Sequence, residues 1–314
     1  MDKYILDDEI AAFVDRCEAF YGDAPSDMTA EQQRVSYNEQ CRSFDAPHPD
    51  DVTSHDDTVP GLSGPIPIRI YRPDVSGLPG CLIYFHGGGW VLGGLDSHDA
   101  ITAEIASRAG VVVIAVDYRL APEHIYPAGH DDGWSVVKAV AENSEIYGID
   151  PTKLAVGGDS AGGTIAAAMA LKAHAKGGPI LAGQILLYGA FGGIDFLPSY
   201  VECSDAPLLS TADMHVYHAY YFGSRALPDD PLACPLKAEN LEGLPPTFLQ
   251  AAQYDPLRDD SVEYGRRLEA AGVAVELHIE QGLIHGFLRA RHVSDRGAEA
   301  FTRICDATRR LIGN

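Results

Sequence analysis

Short, continuously apolar runs that alternate with helical stretches set the strongest limit on what this chain can fold into. Cys81–Phe85, Val111–Val116, the run through Val156, Gln184–Leu187, Thr247–Ala251 and Val273–Ile279 read as strands. Between them Ser97–Arg108 reads as a helix with Ser97 as its expected N-cap. Asp131–Glu145, a segment from Ala161, Asp259–Ala271 (ending at Gly272) and Ala298–Ile312 read as further helices. Strands that are apolar throughout must be covered on both faces, which predicts an α/β fold with a mostly parallel sheet. Upstream, Thr58–Gly61 and Ile66–Tyr71 read as two strands around a Gly/Pro turn, the second alternating as a half-exposed antiparallel strand does.

Two regions fall outside that rhythm. Residues 1 to about 50 are polar with helical patches, Ala11–Val14 joining Cys17, Phe20 and Tyr21 on one face. The long interval 191–246 carries Leu208, Leu209, Met214, Tyr217 and Tyr221 and is expected to hold helical pieces. The expected organisation is a helical cap from residues 1–50, then the main α/β domain over 51–314 with a cap insertion around 191–246.

Bulk properties narrow the function. The 314 residues are 46% hydrophobic, enough for a large core. A net charge of −22 repels nucleic acid and anionic membrane, so neither is an expected partner. Six cysteines lack C-x-x-C spacing, which argues against zinc or a redox motif. The acidic, histidine-bearing stretch His48, Asp50, Asp51, His55, Asp56, Asp57 reads as a solvated flexible linker rather than a metal site. With no basic segment leading into an apolar one at the start, and no run long enough to span a bilayer, a cytoplasmic location is expected.

In a parallel sheet, chemistry gathers where strands end. After the strand through Val156 comes Gly158-Asp159-Ser160-Ala161-Gly162, a G-x-S-x-G pentapeptide between strand and helix, which lifts Ser160 clear of the sheet. After Phe85 comes His86-Gly87-Gly88-Gly89-Trp90, after Ala251 comes Asp255, and after Ile279 comes His285. The order Ser, Asp, His suits a hydroxyl nucleophile (Ser160), a base (His285) and a carboxylate that orients the base (Asp255). The amides of Gly88, Gly89 and Ala161 are candidates to hold a developing oxyanion. Each piece alone has a plainer reading. G-x-S-x-G is a common turn, the glycine run could be only a loop, Asp255 a helix cap, and His278 and His292 compete with His285. The glycine run lacks both a nucleotide fingerprint and a P-loop lysine. Agreement in residue type, order and strand-end position favours catalysis.

These residues resemble the hormone-sensitive-lipase-like carboxylesterases of the α/β-hydrolase superfamily. The resemblance rests on His86–Gly89, the extended elbow Gly158–Gly163, Asp117–Glu123, Asp255–Asp259 and His285–Phe287, and covers about residues 50 to 312. It implies an eight-stranded, mainly parallel sheet with a helical cap, hydrolysis of short- to medium-chain acyl esters, no cofactor and frequent homodimers. Ser160, Asp255 and His285 would be its triad, and Gly88, Gly89 and Ala161 its oxyanion hole. Where relatives often carry a proline after Leu187-Tyr188, and an acidic residue two positions later, Gly189–Gly193 stands instead, predicting a differently shaped wall.

Trp90, Phe191, Leu208 and Met214 are candidates to line a substrate pocket. Asp159 and Glu123 read as structural carboxylates. The expected ligand is a small-molecule ester, and the last strand, at a sheet edge, invites pairing with a second copy. An amidase or aryl-formamidase of the same fold, a non-catalytic small-molecule receptor and an interfacial lipase stay open as alternatives. The acidic surface and the want of a basic amphipathic anchor weigh against the last.

Overall fold

The apolar runs become strands of a single sheet in the computed structural model, which describes residues 3–20, 28–194, 196–224 and 226–313. Two helices come first. The first, α1 (Asp8–Ala19), is capped by the Asp7 side chain and buries Ile10, Phe13, Val14 and Cys17. Tyr21, assigned by sequence to that face, lies outside the described residues. The second, α2 (Ala30–Arg42), starts at a reciprocal cap between Thr29 and Gln32. Then β1 (Val52–Gly61) and β2 (Gly64–Pro73) form an antiparallel hairpin.

The hairpin corrects the reading of residues 48–57 as a flexible linker, and β1 starts well before Thr58. Asp56 stands opposite Arg69 in the register and pairs with its Nε at 2.6 Å, while His48 meets Asp99 at 2.7 Å. The cross-strand pair of Asp56 with Arg69 helps this polar sequence run extended.

The alternating body follows: β3 (Cys81–Phe85), α3 (Asp99–Ala109), β4 (Val112–Val116), α4 (Ala128–Glu142), the single turn α5 (Ser144–Tyr147), β5 (Leu154–Asp159), α6 (Ala161–Lys176) and β6 (Gly183–Leu187). The interval before the next strand holds α7 (Ser199–Glu202) and α8 (Thr211–Phe222). The chain closes with β7 (Thr247–Tyr254), α9 (Arg258–Ala270), β8 (Val275–Ile284) and α10 (Asp295–Ile312). The sheet order is β1-β2-β4-β3-β5-β6-β7-β8, parallel from β4 to β8. As expected, β8 forms an edge, where Ile279 is exposed.

Alternation along β3 builds both cores. Cys81, Ile83 and Phe85 join a cluster with Val136 and Val137 of α4, Ile165 of α6 and Leu268 of α9. Leu82 and Tyr84 join a second cluster with Ile101 and Ile105 of α3 and Phe301 and Ile304 of α10. Each fully buried aliphatic or aromatic side chain stabilises the fold by roughly 1.5–3 kcal/mol. No helix among the described residues is long and apolar enough to cross a membrane.

One cap differs from the sequence reading. The helix α3 starts at Asp99, and Ser97 does not cap it. The Ser97 hydroxyl accepts from the Gly94 amide at 3.0 Å and meets His98 Nδ1 at 2.8 Å, so the imidazole takes the oxygen that a cap would use.

Because β3 to β8 run the same way, Phe85, Asp159, Leu187, Tyr254 and Ile284 end at one rim. At that rim β3 and β5 approach very closely, with Phe85 opposite Gly158, and a Cβ on Gly158 would overlap the Phe85 carbonyl oxygen. Gly158→Ala is therefore expected to destabilise the protein by about 1–3 kcal/mol through overpacking. The readout is a lower urea midpoint with an unchanged slope, and an unshifted midpoint would contradict this packing.

Candidate active site

Ser160 sits between β5 and α6 at φ 52° and ψ −120°, a left-handed region that non-glycine residues seldom adopt. The turn is held by the Ser160 amide, which donates to the Leu187 carbonyl at 2.8 Å. The next residue, Ala161, opens α6, where an amide has no acceptor within the helix.

His285 follows the end of β8, and Asp255 follows the end of β7. The imidazole Nε2 lies 2.9 Å from Ser160 Oγ, and Nδ1 lies 2.7 Å from Asp255 Oδ2. Asp255 is fully buried, and its other oxygen accepts from the Leu257 amide at 2.8 Å. The carboxylate thus shapes its own turn and also meets the histidine. Tyr188 packs edge-on against the His285 ring at 4.9 Å. Of the rival histidines, His278 pairs with Glu276 and His292 with Glu104, both outside this cluster.

The loop after β3 closes the site from the other side. Gly88 and Gly89 have φ values of 125° and 61°, and a Cβ would strike the Leu92 carbonyl at the first and the Tyr217 ring at the second. Val91 and Leu92 amides both donate to the Gly88 carbonyl, at 3.1 and 2.8 Å, which fixes the turn. His86 stacks on Tyr118 at 4.3 Å, and burial, with His98 nearby, pushes it down to about 3, so it stays neutral.

Asp159 ties this loop to the elbow. It accepts from Tyr84 Oη at 2.8 Å and from the Gly87 amide at 3.0 Å, and His98 Nε2 lies 3.2 Å away. Burial opposes its charge, but His98, Arg289 and Tyr84 outweigh burial and hold the carboxyl well below its ordinary range. Glu123 is likewise structural, gripping Arg34 of α2 at 2.6 and 3.0 Å while Arg34 also bonds the Val91 and Ala121 carbonyls.

A cavity of about 610 Å³ opens over Ser160 and His285. Leu208, Met214 and Trp90 line it, although Trp90 also packs flat on Tyr221 at 4.7 Å. Phe191 does not line it. Its ring is fully buried against Tyr264, at 4.9 Å, because the Asp260 carboxylate binds the amides of Phe191 and Gly193 and turns the chain inward. Ala190 forms the wall there instead. Sequence reading missed Phe13 and Cys17 of α1, Tyr37 of α2, Tyr188 and Arg289, all of which line the cavity. Tyr188 was findable, since it stands at the end of a strand, and Arg289 stands four residues after the histidine. Among the described residues no group of three or more His, Cys, Asp or Glu side chains is placed to hold a metal ion, and the six cysteines are free and buried.

A family model described as the alpha/beta hydrolase fold matches residues 82–289. The chain is 45% identical over 251 residues to Esterase LipI of Mycobacterium tuberculosis, covering 78% of each protein. It is 44% identical over 252 residues to Carboxylesterase NlhH of the same species, covering 79% of each. Among solved structures, a hyperthermophilic esterase from the archaeon Pyrobaculum calidifontis superposes with a TM-score of 0.91 at 33% identity, over 98% of each chain.

The Asp260 grip gives a pH signature. Burial pushes this carboxyl up to about 7, whereas an unfolded aspartate ionises near 4. Between about pH 4 and 7 the unfolded chain binds fewer protons at this residue than the fold does, so its contribution to stability falls as pH rises and levels off above 7. Asp260→Asn, which keeps an acceptor for both amides, is expected to flatten that part of the stability profile. Urea midpoints of parent and variant across this range provide the check, and parallel profiles would contradict it.

Proposed function

The chain belongs to the α/β-hydrolase family, as a hormone-sensitive-lipase-like carboxylic-ester hydrolase, and from that premise we propose that it works as a serine esterase through an acyl-enzyme. The observation that carries this reading is the continuous contact from Ser160 Oγ through the His285 ring to buried Asp255, at 2.9 and 2.7 Å, with Ser160 and His285 lining the cavity.

In this mechanism Ser160 Oγ attacks the ester carbonyl carbon while His285 Nε2 takes the hydroxyl proton. Asp255 holds the tautomer that leaves Nε2 free to accept, and it stabilises the imidazolium. The carbonyl oxygen becomes an anion within reach of the Gly88, Gly89 and Ala161 amides, each such donor contributing roughly 3 kcal/mol. His285 then protonates the leaving alcohol. In the second half it takes a proton from water, which attacks the acyl carbon, and returns a proton to Ser160 as the acid leaves.

Ser160→Ala is expected to lower kcat on p-nitrophenyl butyrate by about 10⁴-fold or more with an unchanged circular dichroism spectrum. Parent-like turnover in that variant would overturn the mechanism.

The substrate proposed is a small ester with a short to medium acyl chain. A cavity of about 610 Å³ walled by Trp90, Tyr217 and Met214 suits chains from acetyl to hexanoyl. In a p-nitrophenyl ester series kcat/KM is expected to peak within that range and to fall about tenfold or more by dodecanoyl. A rise continuing to dodecanoyl would contradict it.

A further inference from the structure

Arg289 lies in the 3-10 segment Phe287–His292, just after His285 and Gly286. It is only 9% exposed, yet it forms part of the wall of the cavity over Ser160. Its Nε donates to Cys41 Sγ at 3.0 Å and its Nη2 to Tyr37 Oη at 2.6 Å, and the guanidinium stands 5.0 Å from the centre of the Tyr37 ring. These partners are uncharged. Burial pushes both the Tyr37 phenol and the Cys41 thiol above their ordinary values, so both stay protonated at neutral pH.

Among the described residues no carboxylate pairs directly with Arg289, whose hydrogen bonds are made by Nε and Nη2. Asp159 favours its charge from further off, but that carboxylate is already engaged by Tyr84, Gly87 and His98. Nη1 comes within 3.6 Å of where a Cβ on Gly286 would stand, next to the residue that meets Ser160.

A buried cation that makes no direct ion pair is costly. Tying α2 to the segment after His285 needs hydrogen-bond donors, which a neutral side chain could supply. What a guanidinium adds is a charge and a planar pair of donors matched to a carboxylate. The whole chain carries net charge −22, and of the three acidic residues that line the cavity, Asp159 is buried within its own hydrogen bonds while Glu18 and Asp213 are exposed to water. Arg289 is the one Lys or Arg side chain among the described residues of the cavity lining, so an anion is favoured beside it rather than elsewhere in the cavity.

Resting on the ester-hydrolase reading, we propose that this site takes esters that carry a carboxylate, with Arg289 anchoring that carboxylate beside the reacting carbonyl. The carboxylate can belong to the acyl part, as in a half-ester of a dicarboxylic acid, or to the alcohol part, as in an acyl ester of a hydroxy acid.

Two matched pairs separate these sources: mono-p-nitrophenyl glutarate against p-nitrophenyl pentanoate, and O-butyryl-4-hydroxybutyrate against butyl butyrate, the second pair followed by acid release. In at least one pair the parent enzyme is expected to show kcat/KM for the anionic member equal to or above that of the neutral one. Arg289→Met is expected to lower the anionic-to-neutral ratio about thirtyfold, with Arg289→Lys between the two. If Arg289→Met does not fold, inhibition of the parent decides: pentanoate should compete with p-nitrophenyl butyrate more tightly than its neutral isostere pentanamide does. Ratios that ignore Arg289→Met in both pairs, a parent that favours the neutral member of both, or tighter inhibition by pentanamide would overturn the proposal. Failure to hydrolyse any of the four esters would count instead against the esterase reading itself.

Discussion

A buried carboxylate, Asp159, is the constraint on which the site depends. It ends β5 one residue before Ser160 and reaches Tyr84 of β3, the Gly87 amide and His98 just before α3, with Tyr188 Oη at 3.4 Å. Its charge is stable in the interior only while those donors surround it, and stripping the partners from a buried charge costs about 3–5 kcal/mol. Solvating one aspartate therefore forces the strand end, the glycine loop and the turn after β6 into a fixed relation. Ser160 and the amides opposite it inherit that relation without contributing to it.

The strain at Ser160 becomes intelligible in that frame. A φ of 52° disfavours a serine, but the residue is pinned on both sides, by the Asp159 network before it and by α6 packed under the sheet after it. The histidine and its carboxylate come from β8 and β7, at the far side of the same rim. Parallel strands deliver these groups to one edge by topology alone, and short hydrogen bonds then set the final distances. Cap elements cover the result, as the Arg34 bonds to Glu123, Val91 and Ala121 tie α2 to the chain after the glycine loop.

The parts legible in the sequence share one property: each stands directly after an apolar run. Ser160, Asp255, His285 and the glycines could be placed because a strand end is a local signal and their chemistry is specific to residue type. The parts that were not legible depend on partners distant along the chain. Ser97 looks like a cap until the His98 ring claims its hydroxyl. The acidic run before Thr58 looks like a flexible linker until Arg69 stands across from Asp56. Phe191 looks like pocket lining until Asp260, 69 residues later, pulls the neighbouring amides inward. Arg289 draws no attention in sequence because nothing local shows that it is buried beside Cys41 and Tyr37.

The most direct test of the whole account is the site of covalent capture by an organophosphate ester such as diethyl p-nitrophenyl phosphate. Mass spectrometry after stoichiometric inactivation is expected to find one diethylphosphoryl group, on Ser160, with loss of ester hydrolysis in step with labelling. A label on any other residue, or ester hydrolysis that persists once Ser160 is fully modified, would contradict it.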